Sequence, residues 1–115
     1  MRFLLIHGGF HGAWCWDYLV PELNSLGHTA FAIDLPGHGE RAHEVASLSG
    51  YKDTVLAHIE PGDILVAHSM GGVAATIAAN QAPEKVRHIV YLAAALPLEG
   101  KAFVDLAVQI LGPTD

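Results

Sequence analysis

Residues 64–72 read Ile-Leu-Val-Ala-His-Ser-Met-Gly-Gly: an apolar run, a serine at a turn, then small residues opening a helix. The spacing matches the Gly-x-Ser-x-Gly strand–turn–helix pattern, with Ala67 in the place of the first glycine. On so tight a turn the Ser69 hydroxyl projects above the sheet edge, and only small residues two positions either side leave room for it. The amide of the next residue, Met70, then meets the space where an oxyanion forms, and the helix N-terminus behind adds positive potential. This is the chemistry of a serine attacking a carbonyl carbon. Short patterns of this kind also arise by chance at ordinary strand–helix turns, so the weight comes from context.

Two further clusters supply that context. His7-Gly8-Gly9-Phe10 follows an apolar run at residues 3–6, where a second oxyanion donor is needed, and Asp34-Leu35-Pro36-Gly37-His38-Gly39 follows another at Thr29–Ile33. A serine hydroxyl needs a base, and the base an orienting carboxylate; where the serine sits on this strand–turn–helix pattern, they follow it in the order acid, His. After Ser69 the acids are Glu84, Glu99, Asp105 and Asp115, and the one histidine is His88. His88 falls early in the fourth apolar run, which places it at the sheet end opposite the serine. The acid and base of a triad are therefore expected beyond residue 115.

The elements that must position these groups alternate along the chain. Apolar runs at residues 3–6, 29–33, 64–67 and 86–93 read as strands. Helical spacing covers residues 14–26, where Pro21 implies a bend or a later start, then 51–59 and 70–81. Residues 101–111 carry weak helical periodicity. The order β-α-β-α-β-α-β, with continuous rather than alternating apolar strands, predicts an α/β fold with parallel strands covered on both faces. The fourth strand lacks a polar face in its second half. As an edge it would leave unpaired backbone beside an apolar surface, an invitation to dimerise or aggregate, so the sheet is expected to continue past it.

Composition narrows the classes. Half of the 115 residues are hydrophobic (51%) and 16% are charged, which excludes intrinsic disorder. The net charge of −6, without a Lys/Arg cluster, argues against nucleic-acid or anionic-membrane partners. The apolar stretch at 89–98 is about half of the roughly 20 residues a membrane span needs, and residues 3–6 are too short for a signal peptide. The single cysteine, Cys15, fits a reducing, cytoplasmic setting.

Together these residues resemble the N-terminal half of an α/β-hydrolase-fold enzyme, closest to the branch of plant methylesterases and hydroxynitrile lyases with their bacterial esterase-like relatives. The likeness rests on His7-Gly8-Gly9-Phe10-His11-Gly12-Ala13-Trp14, on Asp34-Leu35-Pro36-Gly37-His38-Gly39, on His68-Ser69-Met70-Gly71-Gly72 and on Val90-Tyr91-Leu92-Ala93-Ala94. It implies a parallel-sheet sandwich cut after its fourth visible strand, with residues 1–99 as the N-terminal part of the core and 100–115 as the start of a cap. It implies Ser69 as nucleophile, the Gly9 and Met70 amides as oxyanion hole, and a structural His68. The substrate would be a small-molecule ester, with no metal or organic cofactor. Gly8, Phe10, His11 and His38 are expected around the substrate pocket. The lyases carry Thr at the position of Gly8, so Gly8 favours an esterase over a lyase. A non-catalytic ligand binder of the same fold is the alternative of another class, and the exposed serine weighs against it.

Other polar residues carry plainer expectations. His7 and His11, four apart, lie in a glycine-rich loop rather than on a helix, which disfavours a metal pair. Asp34 is expected to cap its turn, and Trp14 and Trp16 to seal a helix against the sheet.

Overall fold

The computed structural model describes residues 1–92 of the chain. Four strands, β1 (Arg2–Ile6), β2 (Thr29–Ile33), β3 (Asp63–His68) and β4 (Val86–Leu92), form one sheet in the order β2-β1-β3-β4. Every pairing is parallel, with Ile6 opposite both Ile33 and Ala67. The continuous apolar runs explain the arrangement, because β1 and β3 lie inside the sheet and bury both faces. Leu4, Ile6, Leu65 and Ala67 pack on one face beneath α2 (Leu48–His58) and α3 (Gly71–Gln81). Leu5, Ile64 and Val66 pack on the other, against Trp16 and the apolar residues of α1 (Leu19–Ser25).

Strand order also fixes where a site can form. From β1 the chain crosses to β2 on one side, whereas β3 leads on to β4 on the other. The carboxyl ends of β1 and β3 therefore face a crevice where the connections diverge, the usual ligand position in open parallel sheets. At the opposite end the sheet is tied by the fully buried Asp63, whose carboxylate accepts from the Arg2 guanidinium and, at 2.9 Å, from the Glu60 amide. Arg2 also donates to the His58 carbonyl at 3.2 Å, so one ion pair joins β1, β3 and the end of α2.

Three expectations are corrected. The helix foreseen over residues 14–26 is a 3₁₀ turn at Ala13–Trp16 followed by the seven-residue α1. Pro21 sits in the first turn of α1, where its missing N–H leaves no broken bond. Trp16 seals the sheet as expected (6% exposed), but Trp14 is 57% exposed. α2 starts at Leu48 rather than Tyr51, because Ser47 caps it by accepting from the Gly50 amide at 2.9 Å. As the last strand of the described residues β4 is an edge, with Val90, Tyr91 and Leu92 all exposed, and the continuation of the sheet expected past it lies outside those residues. Ala93, Glu99 and the expected cap at 100–115 lie outside the described residues. Among those described, no helix is long and apolar enough to cross a membrane.

Candidate active site

Ser69 stands one residue past β3 with φ +51°, a left-handed conformation that a non-glycine residue adopts at a cost of roughly 1–3 kcal/mol. The turn is held from both sides: the Ser69 amide donates to the Leu92 carbonyl (3.3 Å), and the Gly72 amide donates to the Ser69 carbonyl (3.0 Å). α3 begins at Gly71, so its positive end lies two residues beyond Ser69. Phe10, in the loop after β1, is the other non-glycine residue at positive φ (+64°) among those described.

Ser69 and Met70 line a cleft of about 500 Å³ together with Gly9, Phe10, Gly37, His38, Ala46 and Tyr51. Five of the residues singled out by sequence thus meet: Gly9, Phe10, His38, Ser69 and Met70. Among the described residues the amides of Gly9 and Met70 have no hydrogen-bond acceptor. Turns with positive φ at Phe10 and Ser69 thus bring Gly9, Ser69 and Met70 to one cleft.

Gly8 and His11, expected in the pocket, lie outside its lining. Gly8 is packed behind the serine instead: a Cβ there would sit 2.9 Å from Ser69 Cβ and 3.1 Å from His68 Nδ1. His11 stacks between Trp14 and His68, at ring separations of 5.5 and 5.6 Å. Tyr51, Gly37 and Ala46 complete the wall without any sequence signal marking them as site residues. Tyr51 reads as one more apolar residue on the core face of α2, and only its neighbours reveal that it borders the cleft.

His7 joins the two loops above the sheet. Its Nε2 accepts from the Leu35 amide at 3.0 Å, which leaves the ring proton on Nδ1, 2.8 Å from the Gly8 carbonyl. With both nitrogens engaged by backbone and the residue fully buried, His7 is no partner for a metal pair with His11. Burial, followed by the charge of His38, holds its pKa below the ordinary 6.5, against the opposing bond to Gly8. The unfolded chain therefore takes up a proton before the folded one does as pH falls. Stability is full above about pH 6.5 and declines below it until the folded state also protonates. Thermal unfolding between pH 8 and 5.5 should show this decline, and His7→Asn should remove part of the slope; an unchanged slope would refute the assignment.

The loop at residues 34–47 forms the opposite wall. Arg41 grips Glu44 with two bonds of 2.7 Å and donates to Thr54 Oγ1 (2.8 Å) and the Asp34 carbonyl (3.2 Å), which fastens the loop to α2. Asp34 caps as expected, accepting from the amides of Ala13 (2.7 Å) and Glu40 (3.3 Å). His88 lies opposite Ile64, four residues down the strand from Leu92, which pairs with His68, and so at the far end of the sheet from Ser69. A larger groove of about 950 Å³ along edge strand β2 is lined by no serine, threonine or cysteine.

A family model described as the alpha/beta hydrolase family matches residues 3–114. The probable esterase PIR7A of Oryza sativa is 42% identical over 108 residues, covering 87% of this chain and 41% of that protein. Norfluorocurarine synthase 1 of a Strychnos species is 45% identical over 104 residues, covering 84% and 39%. Among solved structures, an extracellular alpha/beta-hydrolase from a Paenibacillus species superposes with a TM-score of 0.86 at 31% identity, over 91% of this chain and 45% of that one. The chain thus spans about two fifths of the length of the curated relatives it matches.

Proposed function

Because the chain belongs to the alpha/beta hydrolase family, we propose that it is the serine-bearing part of an esterase acting on small-molecule carboxylic esters. Ser69 Oγ attacks the ester carbonyl, and the Gly9 and Met70 amides receive the negative charge that develops on its oxygen. The alcohol departs, leaving an acyl group on Ser69, and water then releases the acid. The general base and its carboxylate come from beyond residue 115, with residues 100–115 opening a cap over the cleft. The lone Cys15, whose thiol burial and the nearby Asp17 push above its ordinary pKa, fits a reducing compartment such as the cytoplasm.

One observation carries the reading: a strained serine shares a cleft with two amides that have no other acceptor among the described residues. Amides so placed strengthen as charge grows in the transition state, which is where acyl transfer needs them. Gly8 weighs against a lyase, since it lacks the hydroxyl of the threonine that the lyases carry there, and a Cβ at this position would sit 2.9 Å from Ser69 Cβ.

A serine-directed fluorophosphonate tests the proposal on the complete gene product. It is expected to add one adduct, mapped by peptide mass to Ser69. An unlabelled protein, or an adduct on another residue, would sink the nucleophile assignment and leave a ligand-binding protein as the better reading.

A further inference from the structure

Apart from Ser69, the lining of the cleft is apolar but for Tyr51 and one imidazole. Phe10, Ala46 and Met70 supply side chains without charge, while Gly9 and Gly37 supply backbone alone. His38 is the imidazole. Its Nδ1 lies 3.1 Å from the Pro36 carbonyl, an oxygen that only accepts, so the ring proton in the neutral form sits on Nδ1. Its Nε2 is left as a lone-pair acceptor within reach of solvent, with no hydrogen bond to another described residue. The ring is held in place by packing on both sides, 4.9 Å from His7 and 5.9 Å from Tyr51. His7 is itself pinned at both nitrogens, so His38 leans on a fixed surface.

We propose that His38 selects among esters by accepting a hydrogen bond from a hydroxyl carried by the substrate. The inference rests on the reading of this cleft as the ester site and names the class of ester it takes. The physical basis is an asymmetry. A hydroxyl brought against an apolar wall loses its water partners, and a single fixed acceptor decides whether that loss is compensated. A net contribution of about 1 kcal/mol per neutral hydrogen bond corresponds to roughly five- to tenfold in affinity. His38 makes no claim on the bond-breaking step and is a specificity residue.

The test uses binding, so that it stands apart from turnover. The Ser69→Ala form of the complete gene product is titrated calorimetrically with methyl phenylacetate and with its 2-, 3- and 4-hydroxyphenyl counterparts. The best hydroxylated ester should bind about tenfold more tightly than the parent. His38→Phe, which keeps the ring packing, should reduce that ratio to within twofold with little change for the parent ester. His38→Gln, which restores an acceptor, should recover part of it. The proposal is overturned if no hydroxylated ester is preferred, if none of the four binds, or if His38→Phe weakens all four alike. Failure of the esterase reading looks different: the wild-type protein would cleave none of these esters while the binding ratio and its dependence on His38 persist.

Discussion

Ser69→Ala is expected to lower ester hydrolysis by the complete protein about 10⁴- to 10⁶-fold, the range found when a serine nucleophile is deleted. The fold should survive the change. The Ser69 hydroxyl makes no hydrogen bond to the described residues, and the bonds that shape the turn belong to its backbone. Alanine inherits the strain at φ +51° without relieving it, so the thermal midpoint should move little. Residual activity should remain above the uncatalysed rate, because the two amides still stabilise charge when water attacks directly. Steady-state hydrolysis of a chromogenic ester, read beside a melting curve, separates the cases. A variant retaining a tenth of the activity would mean that the nucleophile lies elsewhere.

Gly71→Ala should do damage by another route, through stability as well as rate. A Cβ at this position would lie 2.6 Å from the His7 carbonyl oxygen and 2.7 Å from that of Ile6. Both are backbone atoms at the end of the innermost part of the sheet, and neither can swing aside as a flexible side chain would. α3 must back away from β1, at a cost of about 3 kcal/mol, typical of severe overpacking. The displacement has a direction. Met70 travels with α3 while Gly9 stays with the β1 loop, so the two amides lose their common target. Urea unfolding should therefore show a clear drop in midpoint, and kcat should fall by at least tenfold in the fraction that remains folded. Full activity with normal stability would show that α3 and β1 do not meet as closely as described.

These two residues also mark how far the sequence could be read. The Ser69 turn was legible because its demands are local: an apolar run, one hydroxyl and small neighbours within nine residues determine it. The parallel sheet was legible for a similar reason, since residues 3–6 and 64–67 have no polar face to offer water. What lies beside β4 was not, because the cover of an apolar strand is a property of its neighbours and not of its own residues. The break between Trp16 and Leu19 escaped since both segments present apolar residues at helical spacing, and only Pro21 hinted at a later start. Ser47 was a readable cap, masked by Gly50 three residues on. Within the site, Gly8 and His11 were expected in the pocket because they adjoin Gly9 and Phe10 in sequence. The positive φ at Phe10 reverses the chain there, so neighbours along the loop face different surroundings. Tyr51 was invisible as a site residue because a helix face shows what is buried, not what it is buried against.

The His7 ring has a further consequence for how this protein can be altered. One imidazole carries both the loop that presents the Gly9 amide and the loop that presents His38. On the proposed reading, choice of substrate and stabilisation of charge hang from a single pin. Changes that retune selectivity by moving the Leu35–His38 segment will be felt on the reactive side of the cleft, and improvements there will tend to slow the chemistry. Ala46 borders the same space and abuts Gly37 in that segment, so a larger side chain there would press on the same loop and be felt across the cleft.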